Sequence, residues 1–205
     1  NVFAGYAAMQ MGLPVSKLIV GSNSNDILAR FFASGTMEMA GVVPTVSPSM
    51  DIQVSSNFER LLFDLVDRDG AECARVLSDF RKTGKFSGTD TQLARAREIF
   101  AGARFDDDET KAIIKQVKDE TGELIDTHTA VGVGAARQTA RETDTPVVIL
   151  ATAHPAKFPD AVEAASAIRP ALPARLADLL DRPQRCQSLA NDLDQLKRHI
   201  EDHLA

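Results

Sequence analysis

The longest apolar run in the chain, Thr145-Pro146-Val147-Val148-Ile149-Leu150-Ala151, constrains the fold more than any other feature. It has the length of a strand. A membrane helix needs about 18 or more consecutive apolar residues, so no membrane partner is expected. A strand apolar on both faces belongs inside a parallel sheet covered by helices. A polar loop, Thr152-Ala153-His154-Pro155-Ala156-Lys157-Phe158, follows directly. The same order occurs near the start, where Lys17-Leu18-Ile19-Val20-Gly21 leads into Ser22-Asn23-Ser24-Asn25. Ser24 or Asn25 would cap a helix over 26–33 that stops at Gly35. Helix, strand, polar loop, helix is the rhythm of an α/β domain with a parallel sheet. Ligands of such sheets gather beyond the C-terminal ends of the strands, which makes the loop after Val20 a candidate site.

The remaining pattern divides the chain. A helix over 2–11 is stopped by Gly12 and Pro14. Residues 36–51 are irregular, with Pro44 and Pro48. Helical stretches over 56–66, 71–81 and 91–101 are punctuated by Gly84, Gly88 and Gly102 and show no strand pattern. They predict a helical insertion over 56–105 between two parts of the α/β domain, 1–55 and 106–170. Asp106-Asp107-Asp108-Glu109 opens a helix that ends at Gly122, with lysines toward its end. Those acids complement the helix dipole and lack the spacing of a calcium loop. Leu124-Ile125-Asp126 is a very short candidate strand, followed by His128-Thr129 and a small-residue helix over 130–142. In a C-terminal helical extension, 171–205, Leu189, Leu193, Leu196, Ile200 and Leu204 form one apolar stripe. That stripe is expected to pack on the domain's own surface.

With 23 basic and 29 acidic residues and a net charge of −6, no nucleic-acid partner is expected. Cys73 and Cys186 lie far apart without a CxxC motif, which suits free thiols in a reducing, cytoplasmic setting. His199 and His203 are one helical turn apart on a polar face, and no metal site is expected. No Walker loop, dinucleotide fingerprint or nucleophile elbow occurs, and Gly132-Val133-Gly134 suits helix packing. Three polar clusters remain at strand exits: Ser22–Asn25, His128-Thr129 and Thr152–Lys157. Each could simply cap a helix or satisfy strand-end backbone groups. Together they point to a ligand cleft.

Four blocks carry a more specific message. Asn1-Val2-Phe3-Ala4-Gly5-Tyr6, Ser47-Pro48-Ser49-Met50-Asp51-Ile52-Gln53-Val54-Ser55-Ser56-Asn57-Phe58-Glu59-Arg60, His128-Thr129-Ala130-Val131-Gly132 and Thr152-Ala153-His154-Pro155-Ala156-Lys157-Phe158 together resemble threonine synthases, in family order and over almost the whole chain. The resemblance implies a parallel-sheet domain of the tryptophan-synthase-β-like class, pyridoxal-phosphate fold type II. It implies a lyase that uses pyridoxal 5'-phosphate to convert O-phosphohomoserine and water to threonine and phosphate, in threonine biosynthesis. It also implies that the small N-terminal domain, the Schiff-base lysine and most of a Gly-Asn-Phe-Gly-Asn phosphate loop lie upstream of Asn1. This portion alone is then expected to be inactive.

Asn1 matches the last residue of that loop, with the following helix N-terminus offered to the cofactor phosphate. Thr152 matches the hydroxyl residue that meets the pyridine nitrogen. A neutral hydroxyl leaves that nitrogen largely unprotonated. O-phosphohomoserine carries a carboxylate and a phosphate, so its site needs several donors. Asn23, Asn25, Ser49, His128, Thr129 and Lys157 are the candidates, by position at strand exits and within the matched blocks. Lys157 also follows a strand in a polar loop, as a Schiff-base lysine could, but the resemblance places that lysine upstream. The alternatives are another pyridoxal-phosphate lyase, such as a serine or threonine dehydratase, and a non-catalytic threonine-synthase-like protein that binds phosphorylated ligands.

Overall fold

Strand β1, Leu18–Ser22, pairs in parallel with a second strand of similar length, with Leu18 opposite Phe100 and Ser22 opposite Arg104. The computed structural model describes residues 2–139 and 145–204, and the chain falls into two units, Asn1–Pro170 and Ala171–Ala205. In the first unit α1, Val2–Gln10, precedes β1, and α2, Ile27–Ser34, follows it. Helix α2 stops at Gly35, whose φ of 80° is the left-handed cap that glycine adopts without strain. Its N-cap is Asp26 and not Ser24 or Asn25, and Asp26 makes no side-chain capping bond. Asn25 is held elsewhere by the loop that follows.

Strand β2, Thr36–Glu38, pairs antiparallel with β3, Lys85–Ser87. Between them run α3, Glu59–Leu65, and α4, Gly70–Thr83. Helix α5, Asp90–Ile99, then passes directly into β4, Phe100–Arg104, the partner of β1. The block over 56–105 thus contains two strands where the sequence pattern shows none, and β4 belongs to the parallel pair. Nothing local marks Phe100-Ala101-Gly102-Ala103-Arg104 as a strand, because it holds no β-branched residue. Its identity comes from contacts: a Cβ on Gly102 would fall 2.7 Å from the Ala29 Cα of α2. Only a glycine lets that helix lie so close.

Phenylalanine fills the first core. Phe32 stacks on Phe100 at 5.3 Å between centroids, and Phe31 meets Phe58 edge-on at 4.9 Å. Leu61, Leu62 and Leu65 of α3 are buried with them. Burial of each such side chain is worth about 1.5–3 kcal/mol, so this cluster holds the helical block onto β4. A second core lies between α6, Asp107–Thr121, and α7, Thr127–Thr139, and contains Ile113, Ile114, Val117, Ala130 and Val133. Gly134 is what permits that packing, since a Cβ there would meet Ile113 at 2.6 Å.

Helix α6 begins with a complete capping box. The Asp106 carboxylate accepts from the Asp108 and Glu109 amides, and Glu109 reaches back to the Asp106 amide. The helix ends at left-handed Gly122, as the acid run and the glycine predict. Leu124-Ile125-Asp126 does not form a strand. Asp126 instead caps α7, which starts three residues before the expected Ala130, so His128 and Thr129 lie in its first turn. Residues 140–144, which include the expected end of this helix, lie outside the described residues.

The apolar run over 146–151 is also not a strand here, and Val147, Val148, Ile149 and Leu150 are all exposed. Hydropathy reports a demand for burial, but a strand also needs a partner backbone. Among the described residues none pairs with this run. It approaches α7, where a Cβ on Gly132 would lie 3.4 Å from Ile149. Helix α8, Pro159–Ser166, closes the first unit with Val162 fully buried.

The second unit contains α9, Leu193–Leu204. Leu189, Leu193, Leu196, Ile200 and Leu204, the apolar stripe of this unit, are exposed. Amphipathic spacing says that a face can be buried, not which surface buries it. Among the described residues no helix is long and apolar enough to cross a membrane.

Candidate functional site

The exit of β1 is tied down by a knot of polar side chains. Asn23 is 1% exposed. Its Nδ2 lies 2.7 Å from both Asp51 Oδ1 and Thr45 Oγ1, and 3.0 Å from Ser47 Oγ. Its Oδ1 accepts the Asn25 amide at 2.8 Å. Asn25 in turn pairs with the backbone of Val43, accepting its N–H at 2.9 Å and donating to its carbonyl at 2.8 Å. Asp51 is the hub: Oδ1 also accepts from Asn25 Nδ2 and Thr45 Oγ1, and Oδ2 accepts the Thr45 amide. A carboxylate only accepts, and here each neighbour donates. The loop over 43–51 is therefore held against the strand end, and the amides of Asn23 and Asn25 are engaged in holding it. Asp51, Thr45 and Ser47 were not candidates on sequence grounds. Their signal is the Asp three residues beyond a Ser-Pro turn, which says "turn" without saying what the turn grips.

The second half of the site is the first turn of α7. Asp126 is fully buried. Its Oδ1 accepts the His128 amide at 2.8 Å and lies 3.1 Å from His128 Nδ1, while its Oδ2 accepts the Thr129 hydroxyl. Burial pushes the Asp126 carboxyl upward, but hydrogen bonds from the side chains and backbone of His128 and Thr129 outweigh it and hold the group below the usual carboxylate range. The other ring nitrogen, His128 Nε2, accepts the backbone N–H of Ser49 at 3.3 Å. Phe158 covers the ring, 4.5 Å away between centroids. Three separate stretches thus meet at His128: the 47–51 loop, the start of α7 and the loop after residue 152. The sequence pattern names His128, Thr129 and Ser49 but places Asp126 at the end of a short candidate strand. An Asp just before Thr-His-Thr-Ala is an N-cap signal.

Lys157 is exposed, with Nζ 5.4 Å from the centre of the Phe158 ring. Its turn is capped by His154, whose Nδ1 accepts the Ala156 amide. Ser49 and Thr152 are exposed as well. Asn1 lies outside the described residues. Among the described residues no group of three or more His, Cys, Asp and Glu side chains could hold a metal ion.

A parallel strand pair flanked by helices, with polar side chains gathered where β1 ends and α7 begins, defines an α/β domain with a buried polar cluster at its strand exit. It superposes over 98% of this chain, at TM-score 0.89 and 46% identity, on 43% of the PLP-bound threonine synthase of Brucella melitensis. On the yeast threonine synthase it superposes over 99%, at TM-score 0.83 and 34% identity, covering 45% of that chain. The fold is thus the fold type II class that the resemblance implies. In sequence, the threonine synthase of Pseudomonas aeruginosa is 48% identical over 204 residues, 99% of this chain and 44% of the relative. That of Corynebacterium glutamicum is 40% identical over 211 residues, again 44% of the relative. Residues 129–200 match the family described as threonine synthase, C-terminal. The chain is a homologue of the threonine synthases, and it spans less than half the length of these relatives.

Proposed function

We propose that this chain forms one wall of the active site of a pyridoxal-phosphate-dependent threonine synthase, which converts O-phosphohomoserine and water to threonine and phosphate in the cytoplasm. The observation that carries the reading is the superposition of 98% of the chain on a PLP-bound threonine synthase at TM-score 0.89. The residues present fit such a cofactor. Helix α1 has no acidic side chain in its first turn, so an anion meets no opposing charge at a helix end that favours anions. Asn1 and that helix end would hold the phosphate, and the exposed Thr152 hydroxyl would meet the pyridine nitrogen. When bound, pyridoxal phosphate supplies the electron sink that makes protons next to the substrate amine labile.

The other residues divide by exposure. Ser49 and Lys157, both exposed, would bind the substrate's anionic groups. Asn23, Asn25, His128 and Thr129 would keep the surrounding loops in register. The exposed run over 146–151 would be a strand whose neighbours belong to the part of the protein beyond this chain. The free thiols, Cys73 buried and Cys186 exposed, suit a reducing compartment. The test is phosphate and threonine formation from O-phosphohomoserine by the complete protein with pyridoxal phosphate, with serine and threonine offered in parallel. Release of phosphate together with threonine is expected. Turnover of serine or threonine alone would assign a dehydratase, and ligand binding without turnover a non-catalytic relative. These 205 residues alone are expected to release no phosphate.

A further inference from the structure

We propose that Asp126 and His128 form a positioning pair that fixes the 47–51 loop, and with it the exposed Ser49, at the first turn of α7; this rests on the reading of the cleft as a substrate site. The reasoning starts from the cap. Serine, threonine or asparagine would cap α7 about as well as aspartate without burying a charge. A carboxylate adds one property those residues lack: it accepts hydrogen bonds and cannot donate. Next to it, His128 Nδ1 must carry a proton. In a neutral imidazole the other nitrogen, Nε2, is then an acceptor. The group facing Nε2 is a donor, the Ser49 backbone N–H at 3.3 Å.

The opposite tautomer fails at both ends. It would set a lone pair against the Asp126 carboxylate and an N–H against the Ser49 N–H. Thr127 Oγ1, 3.2 Å from Nδ1, can accept from the same proton. The side chain of His128 is 8% exposed, and Phe158 lies over the ring. With both nitrogens engaged and one face covered, the ring has no free nitrogen for a substrate. It holds the loop instead. The 47–51 loop is thus pinned twice, at Asp51 by the knot at the β1 exit and at Ser49 by His128. Ser49, held by its backbone at the second of these pins, is the exposed residue that the substrate would meet.

Two substitutions separate the ends of the ring. His128→Gln keeps an acceptor near the Nε2 position, whereas His128→Asn keeps only a donor toward Asp126. In the complete protein, exchange of backbone amides over 47–51, followed by mass spectrometry, should be close to wild type in the Gln variant. In the Asn variant it should be faster by about three- to tenfold, the equivalent of one lost hydrogen bond. The KM for O-phosphohomoserine should rise by a similar factor in the Asn variant and recover in the Gln variant, with the loss falling on KM and not on kcat. Selective 15N-histidine labelling should show His128 as the Nδ1–H tautomer near neutral pH, and Asp126→Ser, which can still cap, should shift the ring away from it. An Nε2–H tautomer in the wild type would overturn the proposal, as would Asn-variant exchange and KM equal to wild type. Should the wild type release no phosphate, the functional reading falls, while tautomer and amide exchange still decide the pair.

Discussion

Replacing Asn23 by aspartate exchanges an amide nitrogen for an oxygen without changing the side chain's shape, and the structure places that atom 2.7 Å from the Asp51 carboxylate. A donor becomes a second negative charge. At an effective dielectric of about 20, two unit charges that close repel by roughly 6 kcal/mol. The pair can escape by taking up one proton, which restores a donor between them. Protonating a carboxyl of ordinary pKa near 3.9 at pH 7 costs about 4 kcal/mol, so the destabilisation is capped near that value. The cap falls by about 1.4 kcal/mol per pH unit, to about 1.5 kcal/mol at pH 5. The direction follows from linkage. A carboxyl whose folded-state pKa is raised favours folding below its unfolded pKa and loses that advantage as pH rises, so the deficit is largest at neutral pH and closes in acid. Asn23→Ala is the comparison. It orphans the buried Asn25 amide, at about 1–3 kcal/mol, with no such pH dependence. Urea unfolding of wild type and both variants between pH 5 and pH 7 measures all of this. An Asn23→Asp deficit below about 1 kcal/mol at pH 7, or one that stays flat with pH, would refute the proposed grip of Asp51 on the strand end.

Three further outcomes follow from single contacts. Gly102→Ala puts a methyl group 2.7 Å from the Ala29 backbone, which cannot step aside as a side-chain tip can, and should cost about 1–3 kcal/mol; Gly41→Ala, with open space around it, should be near neutral in the same urea titration. Tyr6 donates to Asp64 at 2.6 Å, and burial first, then that hydrogen bond, push its phenol up to about 12. Its contribution is present below the ordinary phenol pKa of about 10 and lost as pH rises through the folded value, so Tyr6→Phe and wild type should converge in stability at alkaline pH. Asp126, held below the usual carboxylate range, contributes stability above the ordinary carboxyl pKa of about 3.9 and loses it as pH falls through the lower folded value; Asp126→Asn and wild type should therefore differ most near neutrality in thermal unfolding and least in strong acid.

Legibility differed by element. Helix α6 could be drawn from the sequence nearly to the residue, because its cap, dipole acids and terminal glycine are all local chemistry. Strand β1 was equally plain. Strand β4 was not, since Phe100-Ala101-Gly102-Ala103-Arg104 becomes a strand through pairing with β1 and contact with α2, contacts that span much of the sequence. The run over 146–151 failed in the opposite sense. Its composition asks for a sheet, and the described residues provide no backbone to pair with it.

For the candidate site, the residue types that would face a ligand were visible as polar clusters after strands, and four matched blocks gave the family. What those side chains do was not visible. Asn23, Asn25 and His128 look like donors awaiting a substrate when read in order along the chain. In space, Asn23 and Asn25 grip the 43–51 loop, and His128 is spoken for at both nitrogens by Asp126 and Ser49. The sequence by itself determined the helices other than α8, the first strand and the kind of chemistry gathered at its end, since caps, periodicity and short motifs act over a few residues. Only the tertiary structure decided which polar groups are already satisfied by one another, because partners such as Ser49 and His128 are 79 positions apart in sequence and hydrogen bonding depends on distance in space.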